Sequence, residues 1–283
     1  MKKSDFVELK PMLENGGISD WYAIEIRKMI LRMTAVYEDE ILNMYQDNRE
    51  DVQDIRYAED KIGLDIKSIL SKLEQKIKDY FSTKSEYLAR ELVNRSESNT
   101  KSMFTSALNL FRDKLSDGEN PTSFFSIKNG KIYSEIKDNI VKTTVFENVS
   151  LIKSIHRKYH DSIANLVSRT VLGGKSQKEL SDNLAKIKQI TKHRAKLIAD
   201  DQCHKVHTDL SLLQVKSVGI KYGKWLHTGA SKKARTTHRD ILNGKIFELS
   251  KGLYDPAVKK FIMPSELPFC SCIFIPVIKL EDF

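Results

Sequence analysis

The sequence predicts an α+β protein: a mainly α-helical, elongated N-terminal part followed by a small C-terminal α+β module. Three observations predict it. Apolar residues recur at intervals of three and four along much of the chain as far as Val218, the period of helices that bury one stripe. After Gly219 that period gives way to glycines, prolines and short apolar or aromatic runs (KYGKWL, GKIFEL, CIFIPVI), the pattern of strands joined by loops. The 283 residues, 40% hydrophobic and 30% charged, lie near the globular average and suffice for two domains at about 150 residues each.

The first element is a long helix, because from Trp21 onward Ile26, Ile30, Met33, Tyr37, Ile41 and Met44 repeat at threes and fours. A polar break at Gln46–Asp51 separates it from a second helix carrying Ile62, Ile66, Ile69, Leu73, Ile77 and Tyr80, and a third, shorter run spans Met103–Leu115. The cluster SDGENP at 116–121 combines residues that favour turns for separate backbone reasons, and it ends the series. Val149, Ile152, Ile155, Tyr159, Ile163, Leu166 and Val171 predict the next helix, stopped where Gly173 and Gly174 can take left-handed backbone. Ser176, three residues before Glu179, has the capping-box spacing and opens a short helix through Leu180, Leu184 and Ile187. Thr191 is then expected to cap a last helix through Ala195, Ile198, Val206, Leu210 and Leu213, as far as Gly219. The expected division is a helical domain at 1–116, a linker and connecting segment at 117–146, and a domain at 147–283 whose helices (147–218) lead into the α+β module (219–283).

Several function classes lose their parts. The basic start MKKSDFVELKPML is broken by Asp5, Glu8 and Lys10 before an apolar run forms, so no export signal is expected. No apolar run approaches the roughly 18 residues that span a bilayer, and no membrane role is expected. There is no GxxxxGK[ST] phosphate loop, no GxGxxG and no HExxH. The three cysteines, Cys203, Cys270 and Cys272, make a poor disulfide framework and point to a reducing compartment.

Polar chemistry concentrates between Trp225 and Cys272. His238 with Cys270 and Cys272 offers one imidazole and two thiols, the donor types of a structural zinc site, with His227 as a fourth ligand. The same residues also fit a metal-free reading, two small buried thiols and an imidazole bonded to a backbone carbonyl. His227, His238 and Arg235 have the residue types of a metal-free phosphodiester-cleaving site, with base, acid and anion stabiliser. The net charge of +9 favours acidic partners, and basic residues crowd Lys224–Lys260. Lys232, Lys233, Arg235, Arg239 and Lys245 are the candidates for phosphate contact with double-stranded DNA, which would be independent of base sequence. His156, His160, His193, His204 and His207 fall on helices among polar neighbours and are expected at the surface or core edge.

The stretch from Glu147 to Pro276 resembles the phage head morphogenesis family, the Mu protein F-like minor capsid proteins. The residues that carry the resemblance are Gly174 and Ser176 at a helix break, Arg194–Ala199 as an RAxxIA helix, and Gly219, Ile220 and Trp225. Arg235, His238 and Gly244 form an R-x-x-H-x-x-x-x-x-G motif, and Cys270 and Cys272 the terminal Cys-x-Cys. Family members often carry an Arg between the two cysteines, where this chain has Ser271. The resemblance implies a non-enzymatic virion component inside the head, attached near the portal vertex. It implies portal protein, capsid or scaffold proteins and packaged DNA as partners, and host cytoplasm as the place of assembly. No catalytic residue and no cofactor beyond a structural zinc are expected. From the enzyme class, the alternative is a nuclease or toxin-like effector built on His227, His238 and Arg235.

Overall fold

The computed structural model describes residues 6–50, 55–114, 130–172, 177–229 and 234–279. Four long helices dominate: α1 (Gly16–Glu50), α2 (Ile55–Lys114), α3 (Gly130–Leu172) and α4 (Gln177–Ser217). Among the described residues six short strands follow the predicted change at Gly219 or precede α1: β1 (Phe6–Glu8), β2 (Tyr222–Leu226), β3 (Ile246–Glu248), β4 (Leu253–Asp255), β5 (Lys260–Ile262) and β6 (Ile273–Lys279). The protein is therefore mainly α-helical with a small C-terminal β module, as the periodicity predicts.

The helices are fewer and longer than the apolar stripes imply, and the reason is local chemistry. Along α2 the buried positions Phe81, Leu88 and Leu92 continue through Ser96, Thr100 and Phe104, with Ser85 also buried. Ser85 donates to the carbonyl of Phe81 and Thr100 to that of Ser96, so hydroxyls occupy stripe positions without leaving an unmet donor. An apolar pattern breaks there; the helix does not. In α3 the buried Thr144 and Asn148 extend the stripe before Val149, and the helix begins at Gly130, inside the segment expected to connect domains. Thr191 is not a cap: its hydroxyl donates to the carbonyl of Ile187 within α4, which runs unbroken through the expected boundary. The expected stops at 116–121 and at Gly173, Gly174 and Ser176 lie outside the described residues.

Helix termini show their causes. Asn15 accepts the Gly17 amide at the start of α1, at 2.9 Å. At the end of α4 the Gly219 amide donates to Lys216 and the Ile220 amide to Val215, a Schellman closure that requires the left-handed backbone of Gly219 (φ 88°).

Two units pack as compact bodies, one formed by Met1–Ser19, Arg90–Thr144 and Asp200–Phe283, the other by Asp20–Ala89 and Val145–Ala199. The second, helical unit buries Tyr22, Ile26, Met33, Tyr37 and Ile41 of α1 with Phe81 and Leu88 of α2 and Tyr159 and Ile163 of α3. Two of its buried hydroxyls find partners, Tyr22 donating to Asn148 and Tyr37 lying 2.9 Å from His160 Nδ1, whereas the Tyr159 hydroxyl has none among the described residues.

The first unit holds a four-stranded sheet in the order β1-β6-β2-β3, every pairing antiparallel, and a separate β4–β5 hairpin. The β1 strand is absent from the sequence-based reading, since three residues cannot display an alternation; it pairs Phe6 with Lys279 and Glu8 with Val277. Trp225, wholly buried on β2, anchors a core with Phe247, Phe274, Leu242, Cys270 and Cys272. Among the described residues no helix is long and apolar enough to cross a membrane.

Candidate metal centre and basic face

His238 lies on a π-helical turn, Thr237–Leu242, whose wide closure is seen in the Asn243 amide donating to the His238 carbonyl five residues back. The turn carries the imidazole inward, leaving it 2% exposed. Its Nε2 lies 3.2 Å from Asp255 Oδ2 at the end of β4, and Asp255, with no exposed surface, accepts the Ala257 amide on its other oxygen. The metal-free reading expects a backbone carbonyl as the imidazole's partner; the partner is this carboxylate. With Nε2–H directed at Asp255, the lone pair of Nδ1 faces the two thiols. Trp225 packs edge-on against the imidazole, with ring centroids 5.2 Å apart.

Cys270 and Cys272 precede β6, two residues apart and so on the same side of extended backbone. A turn sets them: the Cys270 amide donates to Leu267, Ser265 Oγ donates to the Cys272 carbonyl, and Ser265 and Phe269 take positive φ. Cys270 Sγ is 3.4 Å and Cys272 Sγ 3.7 Å from His238 Nδ1, and ligand atoms of all three residues lie within 4.8 Å of one another. Just past β2, His227 Nδ1 is 3.6 Å from Cys272 Sγ. Thr228 Oγ1 donates to the Ser271 carbonyl, tying this loop to the cysteine segment. The neighbouring Cys272 thiol, and then His238, pull the Cys270 thiol below the ordinary range, while Cys270 and burial push Cys272 up. The pair thus gives up its first proton easily and holds the second. The indole N–H of Trp225 favours the anionic form of Cys272.

Residues 161–275 match the family model of Phage Mu protein F-like proteins. This segment belongs to the Mu protein F-like family. It contains His227, His238, Asp255, Cys270 and Cys272. An uncharacterized protein of Haemophilus influenzae is 23% identical over 274 residues, covering 96% of this chain and 56% of its own length. The chain therefore spans about half of that relative. No solved structure matches it.

The basic residues of the Mu F-like segment are not gathered as the thiols are. Arg235 donates to the Pro268 carbonyl at 3.0 Å, Arg239 pairs with Asp240 at 2.7 and 2.9 Å, and Lys245 is exposed. Lys232 and Lys233 lie outside the described residues. Nearby, Lys224 pairs with Glu8 and Lys260 with Glu266, surface pairs that cost little to exchange for a phosphate. Trp225 packs inside the module, and Tyr222 meets Phe6 edge to face.

The trio of the nuclease alternative does not form an open site. His238 is buried with both ring nitrogens engaged, whereas Arg235 lies at the surface on a backbone oxygen. A base or acid must reach a substrate proton, and this imidazole faces thiols and a carboxylate. Of the helical histidines, His193 is exposed and His160 and His204 half-buried, as expected, but two differ. His156 and His207 are buried, His207 at 2.9 Å from the Met12 carbonyl, and His204 pairs with Glu14. Sequence reasoning missed Asp255 because a carboxylate 17 residues beyond a histidine belongs to no motif; only the β4–β5 hairpin delivers it.

Proposed function

We propose that this protein is a minor head protein of a tailed phage or prophage, held near the portal vertex inside the head, where it assists head assembly, DNA packaging or DNA ejection. The observation that carries this reading is the Mu F-like match over residues 161–275. In this reading the helices of residues 1–116 dock to portal, capsid or scaffold protein, and the basic residues of the C-terminal module meet DNA phosphates without reading bases. The chain would be made in the host cytoplasm and end in the virion. The burial of His238 favours a non-enzymatic role over cleavage by His227, His238 and Arg235.

The test is the particle itself. Purified phage heads should contain the chain in few copies relative to the capsid protein, and the full chain co-expressed with the portal protein should co-purify with it; absence from heads overturns the reading. Binding to duplexes of unrelated sequence should be equal and should weaken with salt, and replacing Lys232, Lys233, Arg235 and Arg239 by Ala should reduce the log–log salt slope by about 0.9 per lost phosphate contact. An unchanged slope moves the DNA surface elsewhere. Nucleic acid cleaved by the wild-type chain and spared by His238→Ala would instead favour the effector alternative.

A further inference from the structure

We infer that His238 Nδ1, Cys270 and Cys272 hold one structural zinc ion, with His227 as the fourth ligand and Asp255 as the residue that positions His238. The argument is geometric. Zinc bonds of about 2.3 Å to sulfur and about 2.0–2.1 Å to nitrogen, opened to the tetrahedral angle, set sulfur and nitrogen about 3.6 Å apart. The separations of His238 Nδ1 from Cys270 Sγ and Cys272 Sγ, 3.4 and 3.7 Å, match that spacing, and His227 Nδ1 stands 3.6 Å from Cys272 Sγ, on the side where a fourth ligand would enter.

Hydrogen bonding gives each thiol only a long S–H···N contact, Cys270 to His238 Nδ1 at 3.4 Å and Cys272 to His227 Nδ1 at 3.6 Å. With Nε2–H given to Asp255, Nδ1 offers one lone pair, and two thiols stand within 3.7 Å of it. One ion satisfies both sulfurs and the lone pair together. The surroundings match a zinc centre in two further respects. The Asp255–His238 contact is the carboxylate–histidine arrangement that fixes ring orientation and tautomer behind a metal. The buried indole N–H of Trp225, with no hydrogen-bond partner placed among the described residues, is a donor suited to an anionic sulfur.

Donor softness selects the ion: two thiolates and imidazole at tetrahedral spacing suit zinc and exclude magnesium or calcium, which need oxygen. Burial selects the role. His238, Cys270 and Cys272 are 2–4% exposed, so the centre is closed in the manner of structural sites. It would join the end of β2, the π-helical turn and the segment before β6, in a module whose strands run three to seven residues. Ion affinity is then folding free energy. None of this rests on the head-protein reading, since the purified chain would keep its zinc whatever it assembles with.

The full-length chain, purified under reducing conditions without chelator, should carry close to one zinc by elemental analysis. Cobalt exchanged into it should show intense tetrahedral d–d bands and sulfur-to-cobalt charge transfer, which S–H···N hydrogen bonds do not produce. Cys270→Ser combined with Cys272→Ser should lose both signals, and Asp255→Asn should keep the ion but bind it about 10–100-fold more weakly. His227→Gln should shift the cobalt spectrum; an unchanged spectrum removes His227 from the ligand set. A folded wild-type chain with reduced thiols, only traces of zinc and no cobalt spectrum overturns the inference, and because that reading is made on the wild type, a variant that fails to fold does not shield it.

Discussion

The helical unit and the strand-rich part of the sheet-bearing unit serve their buried polar groups differently. In the helical unit the small hydroxyls of the core are served within their own helix, Ser85 by the carbonyl one turn back and Thr34 by that of Leu31, while Tyr22 and Tyr37 reach partners on α3. In the strand-rich part of the sheet-bearing unit, past Gly219, His238, Asp255, Cys270 and Cys272 serve one another across sequence separations of up to 34 residues. The difference follows from the backbone. A helix meets its own amide and carbonyl needs within the segment, so an isolated hydroxyl can be tolerated anywhere along it. Short strands and loops depend on long-range partners, and their buried polar groups are arranged as one cluster.

If that contrast is right, the sheet-bearing unit should fail at single points. Trp225→Ala removes the largest side chain of its core and the ring against His238, and should cost about 3–5 kcal/mol in denaturant unfolding. A loss near 1 kcal/mol would show that the core is not organised around this ring.

The helical unit should instead respond to pH. Burial, and then the charge of the neighbouring His160, lower His156 to about 4 from an ordinary value near 6.5. Between those values the unfolded chain binds the proton more readily than the folded one, so this stabilisation is complete above about pH 6.5 and is lost as pH falls toward 4. The wild type should lose up to about 3 kcal/mol across that window relative to His156→Phe, measured by denaturation at a series of pH values. Parallel curves would mean that His156 is not held neutral by its surroundings.

Two glycines sharpen the comparison within the sheet-bearing unit. Gly252 (φ 79°) and Gly219 (φ 88°) both need left-handed backbone, but a Cβ at Gly252 would stand 2.4 Å from the Ile262 carbonyl oxygen, whereas at Gly219 nothing lies within 4 Å. Gly219→Ala should cost about 1–2 kcal/mol for the backbone alone, and Gly252→Ala more, since the β4–β5 hairpin must also open. Equal shifts in Tm would show that the hairpin yields freely. The smallest effect is expected on the surface of α1, where Lys28 meets Glu25 at 2.6 Å with the lysine side chain 66% exposed; Lys28→Ala should change stability by about 0.5 kcal/mol or less.

Most of the helical architecture was legible because burial on a helix repeats every three or four residues. What escaped were the places where the stripe is polar. Ser96 and Thr100 hid the continuity of α2, and Thr144 and Asn148 hid the early part of α3. Thr191 looked like a cap because its type suits one, yet its hydroxyl is satisfied inside α4. The metal candidates were legible as residue types and in part as a set, since Cys270 and Cys272 announce each other by spacing and the resemblance joins them to His238. Residue types alone do not tell an accessible imidazole from one enclosed, as His238 is, by a carboxylate and two thiols.

The sequence by itself determined the helical stripes, the change of character at Gly219, the family resemblance and the kinds of atom available near the C-terminus. These are local properties, set by periodicity, turn chemistry and short motifs. Only the tertiary structure decided that Phe6–Glu8 pairs with the far end of the chain on β6, that Asp255 stands behind His238, and that His227 comes within reach of Cys272. Each of these joins segments distant in sequence, and such contacts form only when the burial of Trp225 and its neighbours offsets the entropy of closing the loops between them.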